Sequence, residues 1–172
     1  MRTRLLTSLA LSALLALPGA ATAAPRGQDF GTPLSGAEEA PSRDTPARGQ
    51  ASFHLSADES TIDYRLIASN IENVVAAHIH CAPEGVNGPV IQLLFGPATA
   101  GGGRHDGVLA EGSFAAPSGQ CAGTTFLDAM RSGLSYVNVH TDDGNDQTSN
   151  SPGDFPSGEI RGQIEAQGPA GS

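Results

Sequence analysis

The stretch "RGQASFHLSADESTIDYRLIAS", residues 48–69, decides the fold class. Phe53 and Leu55 alternate with Ser52, His54 and Ser56. After the polar turn "ADES", Ile62, Tyr64 and Leu66 alternate with Asp63 and Arg65. A period of two places apolar side chains on one face of an extended chain, so this segment reads as a β-hairpin with one buried face. The same grammar recurs downstream. "NVVAAHIHC" (73–81), "PVIQLLF" (89–95), "GVLAEGSFAA" (107–116), "SYVNVHT" (135–141) and "GEIRGQIEA" (158–166) read as further strands. Between the first two of these lies "APEGVNG", whose Asn87-Gly88 is a strong turn signal.

Glycine (22 residues) and proline (12) are spread along all 172 positions, which suits many short strands joined by turns. "GPATAGGGRHDG" (96–107) reads as a flexible connection and "DDGNDQTSNSPGDFPS" (142–157) as a polar loop. "TTFLDAMRSG" is the one helical segment: Thr124 or Thr125 can cap it, Phe126, Leu127 and Met130 share a face, and Gly133 ends it. The expectation is an all-β fold, an antiparallel two-sheet sandwich of about eight or nine strands with Greek-key-like connections and one short helix, because each strand must bury one face.

"MRTR" followed by "LLTSLALSALLALPGA" and "ATA" has the basic start, apolar run and small residues of a secretory signal peptide over 1–23. That predicts Sec-type export to the periplasm or beyond. The expected organisation is this leader, an N-terminal tail over 24–31, one β domain over 32–166 and a C-terminal tail over 167–172. Downstream of the leader no stretch is long and apolar enough to span a bilayer. Beyond Arg2 and Arg4 the chain has seven arginines, no lysine and eighteen acids, a formal charge of −11. Such a balance argues against nucleic acid and anionic lipid as partners and leaves an extracellular ligand unspecified.

Two cysteines, Cys81 and Cys121, in an exported chain predict a disulfide that ties the helix to the sheet. The alternative is a thiolate at Cys81 acting as a metal ligand beside the histidines. In "AAHIHC", alternation puts Ala77, Ile79 and Cys81 on one face and His78 and His80 on the other; in "SYVNVHT", Tyr136, Asn138 and His140 lie opposite Val137 and Val139. Imidazoles at i and i+2 of a strand can converge on one ion, so His78, His80 and His140 form a candidate metal site for copper or zinc, with Glu159 a weaker fourth ligand. Binding to free imidazoles would weaken as pH falls through about 6.5. The plain alternative is polar side chains on an exposed face, the reading given to His54 and His105. Asp142, Asp143, Asn145 and Asp146 lack EF-hand spacing and read as a solvated loop rather than a calcium site. Glu159 and Arg161 share the polar face of the last strand and read as a structural pair, with Arg161 bonding carboxylates or carbonyls to lock that strand. No nucleophile elbow, phosphate-binding glycine loop or HExxH helix is present, so the chain reads as non-enzymatic.

Taken in order, "SGAEEAP" (35–41), "AAHIHCAPEGVNGPV" (76–90), "YVNVHT" (136–141) and "GEIRGQI" (158–164) resemble the CHRD domain, the family named after chordin and found also in secreted bacterial proteins. The resemblance spans residues 32 to about 166 and implies an extracellular or periplasmic β domain used for binding or adhesion, with no reaction attached. The chain departs from the family pattern at 142–157, where a short turn is usual. "HIH…VH" is also similar to the copper-binding histidines of Cu/Zn superoxide dismutase, which implies dismutase-like chemistry as an alternative; the bridging histidine of that enzyme has no counterpart here.

Overall fold

The computed structural model describes residues 27–145 and 151–168; the expected leader over 1–23 lies outside them. The chain runs through β1 (Gln28–Ser35), a 3-10 turn (Gly36–Glu38), β2 (Arg48–Leu55), β3 (Thr61–Glu72), β4 (Val74–Cys81), β5 (Val90–Phe95), β6 (Arg104–Ala115), two short strands β7 (Gln120–Cys121) and β8 (Thr124–Thr125), helix α1 (Phe126–Arg131), β9 (Ser135–Thr141), β10 (Ile160–Gln163) and β11 (Glu165–Ala166). The all-β antiparallel class with one short helix is what forms. Its layers are parts of one hydrogen-bonded sheet in the order β5-β4-β9-β10-β1-β2-β3-β6, with β11 added to β1 and β7-β8 as a separate ribbon. The sheet curls until its ends approach, and the Tyr64 hydroxyl of β3 donates to the Leu94 carbonyl of β5 at 2.8 Å.

The 48–69 hairpin forms in the register its alternation dictates, with Leu55 opposite Ile62, Phe53 opposite Tyr64 and Ala51 opposite Leu66. Its turn is built by Asp58, whose Oδ1 accepts from Ser56 Oγ, Ser60 N and Ser60 Oγ. Phe53, Leu55, Ile62 and Leu66 join Ile79, Val137, Val139, Ile160 and Ile164 in the apolar interior of the curled sheet. Helix α1 packs its Phe126, Ala129 and Met130 onto this core. Thr125 caps it by accepting from Asp128 N. Cys81 at the end of β4 is bonded to Cys121 beside the helix, with Cα atoms 5.2 Å apart, which removes Cys81 from the set of metal ligands.

Two boundaries differ from the sequence expectation. Residues 28–31, assigned to a tail, begin β1, which lies between β10 and β2 and buries Phe30 and Leu34. Gly31 and Pro33 dilute the strand signal of "QDFGTPLS". Pro33 also lacks an N–H. The ladder from β1 to β2 runs unbroken over all eight residues, whereas β1 meets β10 at the single pair Ser35 and Arg161. At the other end the Gln167 N–H bonds the Asp29 carbonyl, tying down the start of the assigned C-terminal tail. The second difference is at 104–106, taken as part of a flexible connection. It is the first part of β6, paired with Ile71 and Glu72 across a register shift. Arg104 holds it there by bonding both Asn70 Oδ1 and the Asp106 carboxylate.

Native protein is expected to contain no alkylatable thiol by mass spectrometry before reduction. Replacing both cysteines by serine should lower unfolding stability by about 4 kcal/mol in denaturant titration, because the bridge closes a 40-residue separation.

Candidate metal centre

Strand β4 pairs with β9 so that His80 faces Tyr136, His78 faces Asn138 and Ala76 faces His140. Ala77, Ile79, Val137 and Val139 point into the apolar core. The alternating residues therefore share the opposite face, as the sequence requires. On its other side β4 pairs with β5 through two register shifts, one immediately before His78 and one immediately before His80, irregularities of the kind that re-aim side chains.

The three histidines come together. Their rings lie 5.6 Å (His78 to His80), 5.1 Å (His78 to His140) and 5.9 Å (His80 to His140) apart between centroids. One nitrogen from each falls within 4.8 Å of the other two. Two rings are held by backbone carbonyls: His80 Nδ1 donates to Gly88 O at 2.9 Å and His140 Nδ1 to Pro156 O at 2.9 Å. With the proton on Nδ1, Nε2 carries a free lone pair. His80 Nε2, His140 Nε2 and His78 Nδ1 are buried and have no hydrogen-bond partner among the described residues. Burial lowers the pKa of all three, His140 to about 4, so the cluster is neutral at pH 7.

The face around them is a second, polar interior rather than open solvent. Tyr136, Asn138 and Arg161 are each at most 2% exposed. The His80 ring stacks on Tyr136 at 4.9 Å, and the Arg161 guanidinium lies 3.4 Å from the other end of this stack, over the Tyr136 ring. Arg161 donates to Val86 O (3.0 Å), Pro83 O (3.1 Å), Gln163 Oε1 (3.2 Å) and, at 3.4 Å, Asn87 Oδ1. It thereby fixes the 82–89 loop that delivers the Gly88 carbonyl. Gly88 itself admits no β-carbon, which would collide with the Cys81 carbonyl, and its N–H bonds the Tyr136 hydroxyl.

Glu159 is in neither expected role. Its carboxylate accepts from Thr45 Oγ1, Thr141 Oγ1 and Gly153 N, tying three segments together away from the histidine cluster. It forms no ion pair with Arg161 among the described residues, so the expected pair is two separate anchors. Arg161 uses carbonyls and amide oxygens, and what it locks is the 82–89 loop onto β10. His54 pairs with exposed Asp29 at 2.6 Å and His105 Nε2 lies 3.4 Å from Gly107 O, both apart from the cluster. Asp142 and Asp143 form a carboxylate group with Asp154, but the first two close local turns onto Gly144 N and Asn145 N; Asp146 lies outside the described residues.

Sequence reading passed over Glu39. Glu39 is 7% exposed, and its carboxylate accepts from Asn138 Nδ2 at 2.9 and 3.2 Å. Desolvation raises its pKa to about 7 against the pull of Arg161 and Arg43. The signal was the paired acids in "SGAEEAP", visible in the motif but without an assigned partner.

The fold and the site together define an antiparallel β domain with a histidine cluster set in a buried polar layer. The family model for the CHRD domain matches residues 30–148, and the chain belongs to that family. The match ends within the 142–157 loop, short of β10. No curated protein and no solved structure matches the chain. Among the described residues no helix is long and apolar enough to cross a membrane.

Arg161→Ala should lower stability by about 3 kcal/mol, because it strands buried acceptors in the 82–89 loop and empties the space over Tyr136. An unchanged midpoint in urea titration would show that the guanidinium is dispensable.

Proposed function

We propose that this CHRD domain is a secreted metal-binding module that takes copper or zinc on His78 Nδ1, His80 Nε2 and His140 Nε2. One observation carries the reading: a nitrogen from each of the three rings lies within 4.8 Å of the other two, and each ring has a buried nitrogen with no partner among the described residues. A buried polar atom without a partner costs about 1–3 kcal/mol, and a bound cation would relieve three at once. Three neutral imidazoles suit copper or zinc, whereas calcium prefers oxygen donors. The carbonyls of Gly88 and Pro156 act as the outer partners that orient metal-ligating histidines. With Glu159 engaged elsewhere, the described residues supply three ligands and leave a fourth position to be filled from outside the cluster. A bound ion would supply Lewis acidity or, as copper, electron transfer. The Arg161 guanidinium is committed to the 82–89 loop, so it does not serve as an anion guide of the dismutase kind, and binding without turnover is the reading favoured. The disulfide and the leader-like sequence over 1–23 support export to an oxidising compartment.

Protein purified without an affinity tag should carry copper or zinc by elemental analysis. In titrations of the apo protein, His80→Ala should bind at least tenfold more weakly than the parent, about 1.4 kcal/mol. Equal affinities would reduce the cluster to a polar face. The pH at which histidine protons compete is shifted by burial. Because the folded-state values lie below 6.5, competition at His140 should set in near pH 4 rather than near the free-imidazole value, whereas the stability contributed by the neutral ring is lost progressively as pH falls from 6.5 to about 4.

A further inference from the structure

Strand β5 gives the histidine cluster an apolar rim. Leu93 is the cross-strand partner of His78, and Val90 is that of His80. Cross-strand partners share a face of the sheet. Residues three apart on a regular strand would point to opposite faces, but the extra residue admitted by the register shift before His80 brings Val90 and Leu93 to the same one. They are 52% and 44% exposed. An edge strand is ordinarily protected by charge, and Val90–Phe95 carries none. On the other side of the cluster stands a fixed positive charge. The Arg161 guanidinium lies 3.4 Å over the Tyr136 ring, which stacks on His80 at 4.9 Å. Among the described residues no carboxylate or thiolate joins the three ring nitrogens. Glu39 is bonded to Asn138, Glu159 to Thr45, Thr141 and Gly153, and Cys81 to Cys121.

We infer that the ion this site selects is cuprous copper, Cu(I), in preference to a divalent ion. This rests on the metal-binding reading and narrows it. Three neutral imidazoles leave a bound ion its full charge. The cost of taking an ion out of water grows with the square of its charge, and repulsion from the guanidinium grows in proportion to it. A dication is penalised on both counts more heavily than a monocation. The apolar rim lowers the local dielectric and brings no anion to offset the charge. Coordination number acts in the same direction. Zinc sites are almost always four-coordinate and cupric copper takes a tetragonal set, so either would need a ligand from outside the cluster. Cuprous copper accepts the three nitrogens that are present.

The test is anaerobic titration of the apo protein at neutral pH, with Cu(I) in competition with bicinchoninate and with Cu(II) in competition with nitrilotriacetate. Cu(I) should bind at least tenfold more tightly than Cu(II), which places the reduction potential of the bound copper about 59 mV or more above that of the free ions. Cu(II) affinity equal to or above that of Cu(I) would overturn the choice of ion while leaving the histidine site standing. Absence of binding by Cu(I), Cu(II) and zinc alike would instead overturn the metal reading. Leu93→Glu tests the physical cause at a position outside the core. A carboxylate opposite His78 should favour the higher charge and reduce the preference for Cu(I) about tenfold, read as a potential lowered by about 59 mV. A potential that does not move in this variant would overturn the role given to the rim.

Discussion

The Arg161 guanidinium is the fixed point of the polar half of this domain. It stands over Tyr136, which stacks on His80, and it donates into the 82–89 loop whose Gly88 carbonyl fixes the His80 ring. A planar, permanently charged group with donors along its edge can stack and hydrogen-bond at once; a lysine ammonium cannot. The arginine thus couples three things that alternation alone leaves independent: the position of β10, the path of the loop after β4, and the tautomer of a histidine between them.

Two opposed ionisation effects share that face. Burial keeps the histidines neutral by disfavouring their charged form, and by the same physics keeps Glu39 protonated. Neutral histidines stabilise the fold above their depressed values and lose that contribution on acidification. Protonated Glu39 stabilises it at low pH and loses its contribution as pH rises through about 7. Between the two, the polar layer carries little charge apart from its arginine, which is how so many ionisable side chains can be packed out of water together.

Much of this was legible from alternation. The 48–69 hairpin, the helix with a threonine cap, the disulfide and the shared face of His78, His80 and His140 all follow from local pattern or from the chemistry of one residue type; the structure selects Thr125 over Thr124 as the cap. What was not legible depends on long-range pairing. Glu39 meets Asn138 across 99 residues and Thr45 meets Glu159 across 114, and no periodicity encodes such encounters. The β1 strand was missed because Gly31 and Pro33 weaken its local signal, although its place between β2 and β10 gives it most of its burial. Glu159 and Arg161 were paired by proximity in sequence, yet the turn at Gly158 and the convergence of Thr45 and Gly153 draw the carboxylate elsewhere.

The segment between β9 and β10 contributes two elements that the histidine face needs: the Pro156 carbonyl that orients His140 and the glycine at 158 that leaves space for Glu39. Neither belongs to a ligand. The properties of the site are therefore written partly in a connection whose Gly153 and Phe155 are themselves bonded to Glu159 and Thr141 at the edge of the sheet. A variant of this chain shortened there would keep the same donors and lose the carbonyl that orients His140.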